Sequence, residues 1–311
     1  MKLPRLGPTP WGLGIFLLAL AGIVPFLPLF VQALVISLLI YAALAYSLNL
    51  ITGLTGYVSF GHVVFMGAGA YAFAYGVGTA KFHPVGGVAL GAAIGFVLAL
   101  GIGVVTLRFR GVFFGIATLV MVLAALNIVL VIPALGGGEG MPLNIGFQPL
   151  GWFYTIWSIL VAEIVLTLWI SRGRLGYGIR AIKSDEDAAK AVGVDAPRLK
   201  LFLYGFSGLF AGASGAVFAW QNSGAFPQTN FSLVFSLQML AMIVIGGLGT
   251  LVGPLLGAAV VQLPSYYFQT VAIGTQLIFI GVLVAIFALF VPGGIVGALR
   301  KYVPEIGRYL E

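Results

Sequence analysis

The chain has 311 residues, of which 61% are hydrophobic and 7% are charged. A soluble globular protein carries about 45–50% apolar and about 25% charged residues, so this chain has too little charge to cover a soluble surface. The composition therefore excludes a soluble enzyme, a nucleic-acid-binding module and a disordered tail. The sequence contains no cysteine and two histidines, which excludes disulfides and argues against a metal site.

The N-terminal segment is the first apolar element. Lys2 and Arg5 precede a stretch containing Ala19-Leu20-Ala21, which loosely fits a signal-peptide cleavage site. Because apolar sequence continues to Val31 and then runs into another long segment, we expect an uncleaved first helix.

Ten apolar segments are candidates for transmembrane helices, which need about 20 apolar residues each. They are 11–31, 33–51, 57–80, 85–107, 112–133, 152–171, 201–221, 231–246, 251–267 and 271–291. The pair 231–246 and 251–267 is short and joined by glycines, and segment 57–80 is expected to begin with a broken helix. We therefore predict one domain over residues 1–311: an all-α, polytopic membrane protein of eight to ten transmembrane helices with glycine-broken segments.

The basic residues indicate the orientation of this domain, because lysine and arginine accumulate in cytoplasmic loops. With ten spans and an inner N-terminus, 14 of the 15 basic residues lie inside, and only Lys81 lies outside. We therefore predict that both termini are cytoplasmic and that loop 134–151 is external. The net charge of +7 reflects this orientation, and we predict no nucleic-acid partner.

The segment 172–200, called the charged loop below, holds 11 of the chain's 23 charges. It is too short to form a domain, so we expect it to dock to a partner. Ser184-Asp185-Glu186-Asp187 fits a capping box with Ser184 as the N-cap, and Gly193 suits the left-handed residue after a helix. Asp195 is predicted to cap a second helix, with Pro197 in its first turn.

Two glycine-interrupted apolar segments, 49–61 and 236–254, are typical of a transport pathway. Unwound backbone is tolerated at membrane depth only where it is buried in protein or lines a cavity. The candidate pathway residues in them are Asn49, Thr52, Gly53, Thr55, Ser59, Gln238, Gly246, Gly247 and Gly249, and His62 directly after the first segment is a further candidate. The alternatives are that the glycines only permit close helix packing and that His62 is a hydrogen-bonded structural residue.

Glu163 is a further pathway candidate, because it is the acid placed well inside a span. A charge at that depth costs about 2.5–3.5 kcal/mol on insertion scales, so it needs a partner or water. Three interpretations stay open: contact with a substrate amine, pairing with a polar side chain such as Asn127, or a position near the helix end. By contrast, Gly208, Gly212 and Gly215 form a stripe at helical spacing, which predicts packing against another helix.

Three motifs carry a resemblance to a known family. They are Asp187-Ala188-Ala189 with Gly193, preceded by Gly178-Ile179-Arg180-Ala181-Ile182; Leu48-Asn49-Leu50-Ile51-Thr52-Gly53-Leu54-Thr55-Gly56 with Ser59-Phe60-Gly61-His62; and Ile245-Gly246-Gly247-Leu248-Gly249-Thr250 with Gly253-Pro254. In their order the motifs resemble those of the branched-chain amino acid permeases of ABC importers. Asp187 stands where the family more commonly has Glu.

The resemblance implies a subunit that carries solute through the inner membrane of a prokaryote and is not itself an enzyme. The implied partners are a second transmembrane permease subunit, which we expect to be a paralogue, two cytoplasmic ATP-binding subunits and an external solute-binding protein. No cofactor is expected on this chain, since ATP and Mg would lie on the partner subunits. The residues implied to couple the charged loop to the ATPase are Arg180, Ser184, Asp187, Ala188, Ala189 and Gly193.

The substrate is expected to be a zwitterion or a neutral molecule, because Glu163 is the one charged group placed well inside the spans. Helix N-termini around residues 53–59 are expected to face a carboxylate, and carbonyls near residues 246–249 an ammonium. Together with the resemblance, this favours leucine, isoleucine or valine, with urea or another small amide as the alternative. An ion-coupled secondary transporter and a membrane-embedded enzyme are further alternatives, although no cluster of acid and base groups supports them.

Overall fold

The computed structural model describes residues 8–271, 276–291 and 293–302. Its helices are α1 Pro8–Ile23, α2 Leu29–Leu48, α3 His62–Gly78, α4 Pro84–Thr106, α5 Val112–Val131, α6 Pro149–Arg172, α7 Arg174–Ser184, α8 Glu186–Ala191, α9 Ala196–Gln221, α10 Pro227–Asn230, α11 Leu233–Gly246, α12 Gly253–Val271, α13 Gln276–Phe290 and α14 Gly294–Tyr302. Two short strands, β1 Met141–Pro142 and β2 Gly224–Ala225, pair antiparallel. The predicted all-α fold is confirmed apart from this ladder.

Six helical segments in the described part of the chain are long and apolar enough to cross a membrane by length and composition. They are Leu29–Gly53, Pro84–Thr106, Val112–Val131, Pro149–Arg172, Ala196–Gln221 and Pro227–Gly246. Each of the ten predicted segments contains a helix, but six is fewer than the eight to ten spans expected. The shortfall arises because the remaining helices are short or less apolar: α3 has 17 residues, since the chain is broken before His62.

The helices run between two ends of one bundle. The charged loop, with α7 and α8, lies at the end where α2 and α4 finish, which we call the loop end. There the Lys183 ammonium donates a hydrogen bond to the Gly53 carbonyl, and Arg110 forms a salt bridge with Asp187. At the opposite, far end, β1 pairs with β2 and the Leu143 amide donates to the Ser223 carbonyl at 2.8 Å. The chain termini at residues 1 and 311 lie outside the described residues.

The centre of the bundle is a contact between helix backbones, formed by α3, α4 and α9. A Cβ on Gly69 would lie 2.1 Å from the Gly212 carbonyl oxygen, and one on Gly95 would lie 2.3 Å from that of Gly208. A Cβ on Gly215 would lie 2.0 Å from the Met66 carbonyl oxygen. The predicted packing role of the glycine stripe on α9 is therefore confirmed. We call Gly69, Gly95, Gly208, Gly212 and Gly215 the glycine seam.

Candidate functional site: the charged loop and the glycine junction

The charged loop is folded into two short helices by local capping. Asp185, in extended conformation, is the N-cap of α8: its carboxylate accepts from the amides of Asp187 at 2.9 Å and Ala188 at 3.0 Å. The prediction of Ser184 as the N-cap is wrong, because α7 continues through Ser184 and leaves the next residue to start α8. The prediction for Gly193 is confirmed, since its φ is +88°.

The start of α9 also agrees with the sequence. Asp195 is the N-cap, and its carboxylate accepts from the Arg198 amide at 3.2 Å. Pro197 lies in the first turn, where its missing N–H would have no partner in any case. The charged loop therefore consists of α7, α8, a turn at Gly193 and the start of α9.

Glu186 anchors this loop to the bundle. Both oxygens of its carboxylate lie 3.0 Å from Lys200 Nζ, and one lies 2.8 Å from Lys190 Nζ. The Tyr57 hydroxyl donates to the same carboxylate, and Lys200 Nζ sits 4.2 Å from the centre of the Tyr57 ring. The Lys200 side chain is only 2% exposed. Sequence reasoning missed this cluster.

The electrostatics of the cluster keep Glu186 ionised. Burial alone would raise its pKa, but hydrogen bonds from Lys190, Tyr57 and Lys200 lower the pKa to about 2. A carboxyl whose pKa is lower in the folded state stabilises that state above its ordinary pKa, here 4.5. This stabilisation is lost only as the pH falls toward 2, so the loop stays anchored at neutral pH.

The two alanines of the charged-loop motif face opposite ways. Ala189 is buried against Ile182 and Ala196 in a small apolar cluster, whereas Ala188 is exposed. One turn further along the exposed face, Val192 is 79% exposed. Ala188 and Val192 therefore form an exposed apolar strip on the outer surface of the loop end.

An ion pair lies at one edge of that strip, whereas Arg180 on α7 bonds elsewhere. Asp187 pairs with Arg110 at 2.9 Å, and this guanidinium holds the pKa of the Asp187 carboxyl below its usual value. Arg180 donates to the Ser171 carbonyl at 3.0 Å and stacks over the Tyr177 ring at 4.7 Å. An exposed apolar strip with fixed charges on its rim has the composition of a protein-binding surface.

The two broken segments of the chain meet beside the loop, at a site that we call the glycine junction. The Asn49 side chain accepts from the Gly249 amide at 2.9 Å and donates to the Thr250 carbonyl at 3.3 Å. A Cβ on Gly53 would lie 2.7 Å from the Gly249 nitrogen, and Gly249 has a φ of +74°. The structure therefore brings Asn49, Gly53 and Gly249 together.

Lys183 connects the charged loop to this junction. Its ammonium donates to the Gly53 carbonyl at 2.7 Å, at the end of a π-helical turn, Asn49–Gly53, that continues α2. Gly53 thus lies at the carbonyl end of a helix, which attracts cations. The expectation that residues around Gly53 face a carboxylate with a positive helix end is wrong at this position.

The polar candidates on either side of Gly53 bond mainly within their own segment. Thr52 Oγ1 donates to the Tyr57 carbonyl at 3.0 Å, and Thr55 Oγ1 donates to that of Ile51 at 2.6 Å. His62 Nδ1 lies 3.3 Å from Ser59 Oγ. These bonds shape the break between α2 and α3.

The other candidates lie on α11 and the turn after it. Gln238 is buried in α11. A Cβ on Gly246 would lie 1.9 Å from the Gly253 carbonyl oxygen, so these backbones touch. Gly247 ends α11 with a φ of +124°.

Glu163 is fully buried midway along α6, and both of its carboxylate oxygens lack a hydrogen-bond partner among the described residues. A position near the helix end is therefore wrong, because α6 extends nine residues beyond it. Pairing with Asn127 is also wrong, because that exposed side chain donates to the Leu123 carbonyl on its own helix.

Comparisons with known proteins identify the bundle. A profile described as the permease component of branched-chain amino acid transport systems matches residues 30–289. The chain belongs to this family. It is therefore a multi-pass inner-membrane permease of the ABC importer family, that is, a transport subunit. Across its described residues, no group of three or more His, Asp or Glu could hold a metal ion.

Individual relatives differ in the solute that their names state. The permease is 27% identical over 257 residues to the high-affinity branched-chain amino acid transport system permease protein LivM of Escherichia coli K12, covering 71% of this chain and 59% of LivM. It is 30% identical over 192 residues to the ribose import permease protein RbsC of the same strain, covering 56% of each chain. The match to the galactose/methyl galactoside import permease protein MglC of that strain is 28% over 153 residues, covering 43% of this chain and 45% of MglC. No solved structure gave a significant match.

Proposed function

We propose that this permease carries branched-chain amino acids, leucine, isoleucine or valine, that an external solute-binding protein delivers. The observation that carries the proposal is the match to LivM, which extends over 71% of the chain. Among the described residues Glu163 is the charged side chain that lies midway along a span, so an anionic solute would meet no counter-ion at that depth. The similarity to RbsC and MglC makes a sugar the second candidate, and urea or another small amide remains the alternative.

The experiment is ATP-dependent uptake into vesicles that contain this chain with its partner subunits and solute-binding protein. Labelled leucine, ribose and urea are compared at equal concentration. Leucine uptake that requires ATP supports the proposal. Uptake of ribose or urea but not of leucine would show that the proposed substrate is wrong. Uptake in the absence of ATP would show that the assignment to an ATP-driven importer is wrong.

We propose further that the loop end faces the cytoplasm. Of the twelve basic residues in the described part of the chain, eleven lie in segments at the loop end, and only Lys81 follows α3 at the far end. Cytoplasmic segments are enriched in lysine and arginine in this way. Tags at residues 1 and 311 should then report a cytoplasmic position, and a tag within 136–140 an external one. A cytoplasmic signal from 136–140 would contradict this topology.

The charged loop is proposed to dock on the cytoplasmic ATP-binding subunits, and the core is proposed to pair with a second, paralogous permease subunit. The support is the exposed strip of Ala188 and Val192, which the buried anchor at Glu186 holds in a fixed position. The other residues proposed to take part in docking are Ser184, Asp187 and Gly193, which are exposed, Arg180, which is exposed on α7, and Ala189, which packs beneath the strip.

Two substitutions test this docking. Asp187→Lys replaces an exposed acid that faces Arg110, so the chain should fold and insert normally but lose transport. Gly193→Val should also fold and insert but lose transport. A β-branched residue at a φ of +88° strains the turn by about 1–2 kcal/mol, although its Cβ would meet no atom within 4 Å. Uptake and co-purification of the ATP-binding subunits are measured together. Normal values of both for either variant would remove the charged loop from the docking surface.

A further inference from the structure

The far end of the bundle contains a cavity of about 600 Å³, which is within the range of small-molecule sites. We call it the far-end cavity. It lies between α2, α6, α9, α10, α11 and α12, and its wall includes Ser37, Tyr41, Trp152, Thr229, Phe235 and Gln262. It is separate from the charged loop and the glycine junction, because α9 runs 26 residues from one end to the other.

Two buried polar atoms in its wall have no hydrogen-bond partner among the residues that the structure describes. Trp152 Nε1, a donor, and Gln262 Oε1, an acceptor, make no hydrogen bond within the described part of the chain, although each side chain is at least nine-tenths buried. The amide nitrogen of Gln262 is held 3.3 Å from Ser37 Oγ. Buried polar groups are almost always hydrogen-bonded, so an unpaired donor and an unpaired acceptor on one cavity indicate a ligand or ordered water that pairs with both.

The lining defines the chemistry of that ligand. None of the lining residues is acidic or basic, so a solute with a net charge would be desolvated without a counter-ion. Aromatic rings supply the apolar surface, and the stacked pair of Tyr41 and Phe235, with ring centres 5.6 Å apart, forms part of one wall. Hydroxyl and amide groups supply the polar surface.

We propose that the far-end cavity is a receiving site where a small, net-neutral solute binds before it crosses the bundle. Trp152 Nε1 donates to an oxygen of the solute, and Gln262 Oε1 accepts from one of its N–H or O–H groups. Its C–H surface lies against the rings. This inference rests on the proposed transport function but assigns the binding step to residues outside the two broken segments.

Site-directed alkylation tests the site, because the chain has no cysteine of its own. In the complete complex, Thr229→Cys places one thiol in the cavity wall, at an exposed residue. Thr79→Cys is the matched control, since it is exposed after α3 at the same end but does not line the cavity. A membrane-impermeant maleimide is added with leucine, ribose, lysine or glutamate, without ATP.

Leucine is expected to slow labelling of Thr229→Cys at least threefold, while lysine and glutamate have no effect and Thr79→Cys labels at an unchanged rate. Protection by ribose instead of leucine supports the site and overturns the proposed substrate. The site itself is overturned if ATP-dependent leucine uptake is intact but no neutral solute protects the thiol, or if the thiol cannot be labelled at all. Failure of the site and failure of the transport proposal are therefore distinguishable.

Uptake kinetics give a second measurement. Trp152→Phe keeps an aromatic ring but removes the five-membered ring of the indole with its N–H, so we expect KM for the transported solute to rise about tenfold, the effect of one lost hydrogen bond. Trp220→Phe is the control, because Trp220 Nε1 is also buried without a partner among the described residues but lies outside the cavity. An equal change in both variants, or none in Trp152→Phe, would exclude Trp152 as a binding residue.

Discussion

Replacing Glu186 with alanine should detach the charged loop from the bundle. The change would leave Lys200, which is 2% exposed, without its carboxylate partner. Removing one member of a buried ion pair costs about 3–5 kcal/mol, and we expect the lower end of this range because 12% of the Glu186 side chain is exposed. Hydrogen exchange at the amides of residues 186–200 should then accelerate by about a hundredfold or more, as a loss of this size implies.

Two controls separate burial from charge in this experiment. Arg198→Ala removes an ion pair with Asp195 whose side chains are 90% and 50% exposed, so exchange should hardly change. The double variant Glu186→Leu with Lys200→Leu removes both charges and should recover much of the protection. Exchange in Glu186→Ala that is no faster than in Arg198→Ala would mean that the anchor does not hold the loop.

Gly95→Val should prevent the bundle from packing. A Cβ at this position would lie 2.3 Å from the Gly208 carbonyl oxygen and 3.0 Å from the Gly212 Cα. Both are backbone atoms, which cannot rotate aside as a side chain would. Overpacking costs about 1–3 kcal/mol, and we expect a value at or above the upper limit here. The measurement is the yield and melting temperature of the purified permease.

Gly101→Val is the matched variant, because Gly101 lies on the same helix, α4, and a Cβ there would meet nothing within 4 Å. Since valine has a higher helix propensity than glycine, this variant should fold as well as the parent protein. Equal loss of yield in both variants would show that α4 tolerates no larger residue anywhere, and the specific role of the glycine seam would be wrong.

The sequence predicted the features that depend on neighbouring residues. Gly193 and Asp195 were recognisable because a helix end and a helix start each have a local residue preference. The stripe on α9 was recognisable because small residues at helical spacing favour close packing. The break before α3 followed from glycines that interrupt an apolar run.

The features that sequence reasoning missed depend on residues far apart in the chain. Glu186 was overlooked beside Asp187 because its anchor requires Tyr57, 129 residues earlier, as well as Lys200. Ser184 and Asp185 are adjacent and either residue type can cap a helix, so the local sequence does not decide between them. The end of α7 at Ser184 makes Asp185 the N-cap. The far-end cavity has no local pattern, since six helices contribute to its wall.

The bond from Lys183 to the Gly53 carbonyl has a thermodynamic consequence. It joins the charged loop to the end of α2, so the free energies of the two segments are not independent. A partner that binds the loop better when Lys183 is bonded also stabilises the helix end at the glycine junction. Reciprocity then requires that a solute favouring the same helix end tightens the loop's affinity for that partner by the same factor.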